Sequence, residues 1–116
     1  MPPVERVLAS LAAVLSSAEL RGAGRSREFL GYVVKETVAG RGGRLTERTV
    51  ARGALGLPST FDARLDASVR VRASRVRAAL ERYYAGDGRG DDVIIVLPPG
   101  REVRGRERPR GIAQFL

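Results

Sequence analysis

With 116 residues, 43% of them hydrophobic, the chain holds material for a single core and a single domain. It contains no Cys and no His, which excludes disulfides, thiol and imidazole catalysis and most zinc sites; neither a cofactor nor a metal is expected, and no enzymatic role. A formal charge of +8 points to a polyanionic partner: nucleic acid, an anionic membrane surface or an acidic protein face.

Every basic residue except Lys35 is arginine, in a chain also rich in Ala and Gly, so the sign of the charge carries more weight than the choice of Arg. No apolar run approaches the roughly 18 residues of a membrane span. The opening M-P-P-V-E-R sets a charge pair where a signal peptide needs an apolar core, so a cytoplasmic, nucleoid-associated location is expected.

After Pro2 and Pro3, the spacing of Val4, Val7, Leu8, Leu11, Val14 and Leu15 predicts a helix over 4–16 with one apolar stripe. Two readings stand for the stripe. It belongs to the core, or its a/d-like spacing forms a homodimer seam through helix 4–16. Leu20 to Arg25 is a Gly-containing connection, and Ser26 stands where an N-cap is expected. A second helix follows over 27–39, with Phe29, Leu30, Val33, Val34 and Val38 inward and Gly40 as its left-handed stop. Gly31 within it is expected to mark a close helix crossing.

The turn G-R-G-G-R at 40–44 is glycine-rich but lacks the G-K-[ST] of a phosphate loop. Thr46 is predicted to cap a short helix over 47–55, with Val50, Ala51 and Leu55 inward and Gly56 ending it. Residues 57–65 have no period; Phe61 is expected to plug this loop onto the core. Asp66 is then expected to cap the longest helix, which Gly86 stops after Tyr84.

That helix carries the functional expectation. Val69, Ala73, Val76, Leu80 and Tyr83 recur as one buried face. Arg70, Arg72, Arg75, Arg77 and Arg82 surround it, against the single acid Glu81. At about 100° per residue, the opposite side carries Val71, Ser74, Arg75, Ala78 and Arg82. A small centre with cationic flanks suits close approach to a polyanion, since arginine reaches phosphates or the acceptor edge of guanine. The same pattern also describes a solvated basic surface.

The polar turn D-G-R-G-D-D at 87–92 leads to the β-branched strand Val93–Leu97. Pro98 to Arg101 form a turn and Glu102 to Arg104 return, giving a predicted β-hairpin over 93–104. The order helix, helix, short helix, loop, basic helix, hairpin is that of a winged helix-turn-helix, mainly α with a small β-hairpin wing. This order favours the DNA reading. Residues 1–104 are taken as the domain and 105–116 as a basic and apolar tail.

The run V-R-V-R-A-S-R-V-R-A-A-L resembles the recognition helix of OmpR/PhoB-type response-regulator output domains, with Arg75, Val76, Arg77 and Leu80 on the pattern and Arg72 where that family has His. A longer resemblance covers roughly residues 7 to 104. F-L-G-Y-V-V-K-E-T-V-A-G at 29–40 and F-D-A-R-L-D-A-S-V-R-V-R-A-S-R-V-R-A-A-L-E-R-Y-Y at 61–84 are similar to a winged-helix domain found at the N-terminus of bacterial multidomain proteins with tetratricopeptide repeats or cyclase-like annotations. Ala63 and Ala67 stand where that family has Pro, and Pro-Pro-Gly-Arg-Glu stands where its wing ends in Gly-Tyr. The resemblance implies a winged-helix fold.

Together these features predict sequence-specific double-stranded DNA binding and transcription regulation. Val71, Ser74, Arg75 and Ala78 would face base edges. Arg70, Arg72, Arg77 and Arg82 would meet phosphates. Arg101 and Arg104 of the wing would hold the adjacent backbone, with Arg106, Arg108 and Arg110 adding unspecific attraction. For Arg70 and Arg77 a competing assignment stays open, namely pairing with Asp62, Asp66 or Glu36 inside the domain. The alternative from another class is an adaptor whose loop 57–65 and apolar tail end contact RNA polymerase or another regulator. RNA is a third option, disfavoured because no aromatic strand platform is in view.

Overall fold

The computed structural model describes residues 2–97 and the backbone of 112–114. The chain is mainly helical: α1 (Val4–Ser16), α2 (Gly24–Glu36), α3 (Glu47–Gly53) and α4 (Ser68–Ala85), followed by β1 (Ile94–Val96) and β2 (Ile112–Gln114). No helix among the described residues is long and apolar enough to cross a membrane.

α1 spends its stripe inside the chain. Val7, Leu11 and Val14 are buried, while Val4 and Leu8 at its outer edge are 45% and 37% exposed. The core reading of the helix therefore takes the centre of the stripe. Its C-terminal carbonyls are answered from nearby: Ser17 Oγ donates to the Val14 carbonyl at 2.6 Å, and the Arg27 guanidinium donates to that of Leu15.

α2 begins earlier than its sequence suggests. Ser26 is not the N-cap but lies inside the helix, buried, with its hydroxyl accepting from Arg72 Nη1 at 3.0 Å. A tertiary donor has taken the oxygen that a cap would use locally. The α-helix ends at Glu36 and continues as a wider turn over Thr37–Arg41, in which Gly40 takes φ 85° and supplies the expected left-handed stop. Gly31 does not mark a close crossing: a Cβ built there meets nothing within 4 Å.

Thr46 caps α3 as expected, through a reciprocal capping box. The Thr49 N–H donates to Thr46 Oγ1 at 3.2 Å and the Thr46 N–H to Thr49 Oγ1 at 2.9 Å. The helix ends at Gly53, two residues before the predicted limit, and Leu55 is nonetheless buried. Phe61 packs half-buried against the core, as a plug should.

α4 buries Val69, Val76, Ala79, Leu80 and Tyr83; Ala73 is only half-buried. It packs on α2, α3 and β1. Asp66, expected as the N-cap, stands one residue upstream of the observed one, Ala67. Its carboxylate accepts the Ser68 N–H at 2.8 Å and the Ser68 hydroxyl, and these bonds hold its pKa below the ordinary aspartate value.

β1 alternates as a half-buried strand, with Val93, Ile95 and Leu97 inward. Tyr84 fixes it to α4, its hydroxyl accepting the Ile95 N–H at 2.9 Å. The expected antiparallel partner, residues 102–104, lies outside the described residues. The described partner is β2, which pairs in parallel with Ile94 opposite Ile112 and Val96 opposite Gln114. A parallel return needs a crossover of about a dozen residues or more, and the chain between the strands has that length. A tight hairpin cannot make this pairing.

Candidate nucleic-acid interface

The helical period that buries Val69, Val76 and Leu80 turns the opposite side of α4 to solvent. Val71, Ser74 and Arg75 are exposed there, Val71 by 45%, and Ala78 is half-buried beside them. The four residues expected to face base edges thus share one side of the helix. Its side chains are small apart from Val71 and the two exposed arginines Arg75 and Arg82. The Arg75 guanidinium makes no hydrogen bond or ion pair with another described residue.

The flanking arginines are differently engaged. Arg70 Nη1 lies 2.9 Å from Glu47 Oε2 and donates to the Ala63 carbonyl at 2.9 Å. Arg82 Nε donates to Glu19 Oε2 at 2.7 Å. Arg72 is half-buried against Ser26. Arg77 Nε donates to the Leu97 carbonyl at 2.8 Å, which directs it toward the end of β1. An internal partner for Arg70 was one of the two open readings; the acid is Glu47, rather than Asp62, Asp66 or Glu36. Each of these bonds positions α4: Arg70 ties it to α3, Arg72 to α2, Arg77 to the strand, and Arg82 to the α1–α2 connection. Arg70 and Arg82 keep exposed side chains, so their remaining N–H groups face solvent.

Arg101, Arg104, Arg106, Arg108 and Arg110 lie outside the described residues.

Two further arginines, given no role by the sequence, lie on the helix that packs beside α4. Arg48 and Arg52 are exposed on α3, one helical turn apart, while Val50 and Ala51 face the core. Neither has a partner among the described residues. Their i, i+4 spacing on the solvent side of a capped helix was the available signal. Leu65, in the loop before α4, is 87% exposed, the most exposed large apolar side chain described.

Comparison with protein-family models, with characterised proteins and with solved structures gave no match.

Proposed function

We propose that the chain binds double-stranded DNA through α3 and α4 as a winged helix-turn-helix, with α4 in the major groove, and that it acts as a transcription regulator. The observation that carries this reading is the outward side of α4. It combines Val71, Ser74 and Ala78, small enough for close approach, with Arg75, a cation that no acid among the described residues neutralises. The net charge of +8 favours the same partner. The resemblance of residues 61–84 to winged-helix recognition elements supports it further.

In this reading Arg75 reads a base edge or its adjoining phosphate, and Arg48 and Arg52 grip the backbone that α3 crosses. Arg70 and Arg82 contribute through their free N–H groups while holding the helix in place. A single winged helix buries little DNA-facing surface, so tight specificity calls for two copies or a protein partner.

The test is fluorescence anisotropy with a duplex selected from a random library. Arg75→Ala is expected to cost about 1–3 kcal/mol and to relax preference at one position, while Arg52→Ala weakens all sequences alike and lowers the salt slope by about 1. If the double variant binds the selected duplex as tightly as the parent protein, the interface is misassigned.

A second reading has one observation in its favour. Leu65 presents an isolated apolar side chain on the loop before α4, a position suited to a protein contact such as RNA polymerase or another regulator. Leu65→Ser would then abolish partner recovery and leave duplex affinity unchanged.

A further inference from the structure

A groove of about 410 Å³ runs along α2. Leu15 of α1 borders it, and Gly24, Arg27, Glu28, Gly31, Tyr32 and Lys35 line it at helical spacing, Arg27 being engaged with the Leu15 carbonyl. Its floor is open at the glycines: a Cβ built on Gly24 or Gly31 meets nothing within 4 Å. Tyr32 is held as a wall, since its ring lies where a Cβ on Gly53 of α3 would stand. Glu28 and Lys35 are both exposed, and neither has a hydrogen bond or ion pair with another described residue.

We propose that this groove receives α2 of a second copy of the chain, packed antiparallel about a two-fold axis. The charges choose the occupant. Glu28 and Lys35 are two turns apart on one side of the helix. A two-fold axis passing midway between residues 31 and 32 sets Glu28 of each copy opposite Lys35 of the other, so both unpaired charges are answered twice over. The axis also brings the two Gly31 positions to the centre of the contact, where the absence of a side chain allows the helices close approach. A nucleic acid strand would meet Glu28 as a repulsive charge, and a peptide of one sign would leave Glu28 or Lys35 unanswered. Only a partner with the same charge order reversed answers both, and α2 itself has that order. A two-fold contact between identical surfaces is the commonest form of soluble oligomer.

The proposal does not depend on DNA binding and is read with no nucleic acid present. A contact of this length is small for an interface, so a dissociation constant on the order of micromolar is expected. Sedimentation equilibrium of the full chain at about 100 µM and low salt should show a dimer. Glu28→Lys and Lys35→Glu, each alone, set like charges opposite one another and should weaken association at least about tenfold. Mixed in equal amounts, the two variants should form a heterodimer, because each supplies the charge the other lacks. A monomeric parent protein overturns the proposal. So does a dimer indifferent to the single reversals, and so does a mixture of the two variants that stays monomeric.

Discussion

Arg70 Nη1 stands 2.9 Å from Glu47 Oε2, joining the first turn of α3 to the first turn of α4. The pair sets the relative position of the two helices proposed to meet DNA, and it also neutralises one cation of the basic helix. Glu47→Ala removes the anion and frees the guanidinium. Exposed pairs contribute little, so the loss of stability should be about 1 kcal/mol, including the helix-dipole interaction of Glu47 at the start of α3. Duplex affinity should rise, and the slope of log affinity against log salt should steepen by about 0.9. Anisotropy titrations at several salt concentrations check this. An unchanged slope would mean that Arg70 does not reach DNA even when released.

Gly31 sits mid-helix with open space where a Cβ would be. Its cost to α2 is therefore conformational, with no packing gain within the chain. Gly31→Ala should stabilise the monomer by about 0.5–1 kcal/mol. Urea denaturation at low protein concentration, where association is negligible, measures the gain. A loss would show that the groove closes onto Gly31 in solution.

How far the sequence could be read follows the range of each interaction. The face of α4 was legible because Val69, Val76, Leu80 and Tyr83 repeat with the helix, and the caps at Thr46 and Gly40 because they act within a few residues. Ser26 misled because its hydroxyl serves Arg72, forty-six positions away in sequence. The acids that meet Arg70 and Arg82 are similarly remote, and no local rule selects Glu47 or Glu19 from the rest. Helical geometry could place Arg75 outward; only the three-dimensional neighbours distinguish it from arginines already engaged. β1 was legible as a strand from its β-branched run, whereas its parallel pairing with residues 112–114 depends on a connection with no local signature.

Asp66 provides an acid-sensitive start for α4. Its hydroxyl and backbone bonds from Ser68 favour the carboxylate, with Arg70 adding a smaller attraction, so its pKa in the folded chain lies below the ordinary value of 3.8. A depressed pKa means that the unfolded chain takes up the proton first. The stabilisation is present above pH about 4 and is lost as pH falls through the folded value. Asp62 beside Arg64 and Glu36 beside Arg41 shift in the same direction, each mainly through its side-chain hydrogen bond with arginine. Asp66→Asn keeps an acceptor for the Ser68 N–H but cannot titrate. Urea denaturation should find the variant less stable than the parent protein at neutral pH, and the difference should close as pH falls through the folded pKa of Asp66, because the protonated parent then resembles the variant.

Tyr84 links α4 to β1 at the other end of the molecule, and its loss should be felt in two ways. Its hydroxyl accepts the Ile95 N–H at 2.9 Å and lies 3.4 Å from Ser10 Oγ, joining three elements. Tyr84→Phe leaves the Ile95 N–H without that acceptor, a cost of about 1–3 kcal/mol. Burial raises the pKa of Tyr84 above its ordinary value of 10; burial and then the Asp91 carboxylate raise that of Tyr83. A raised pKa in the folded chain means that its stabilisation is complete below pH 10 and declines as pH climbs beyond it. With no Cys or His and a single lysine, few other groups change charge in that range. Urea denaturation at pH 8 and pH 11 should therefore show a marked alkaline loss for the parent protein and a smaller one for Tyr84→Phe. Equal losses in both proteins would assign the alkaline transition to Tyr83 or to groups away from the α4–β1 junction.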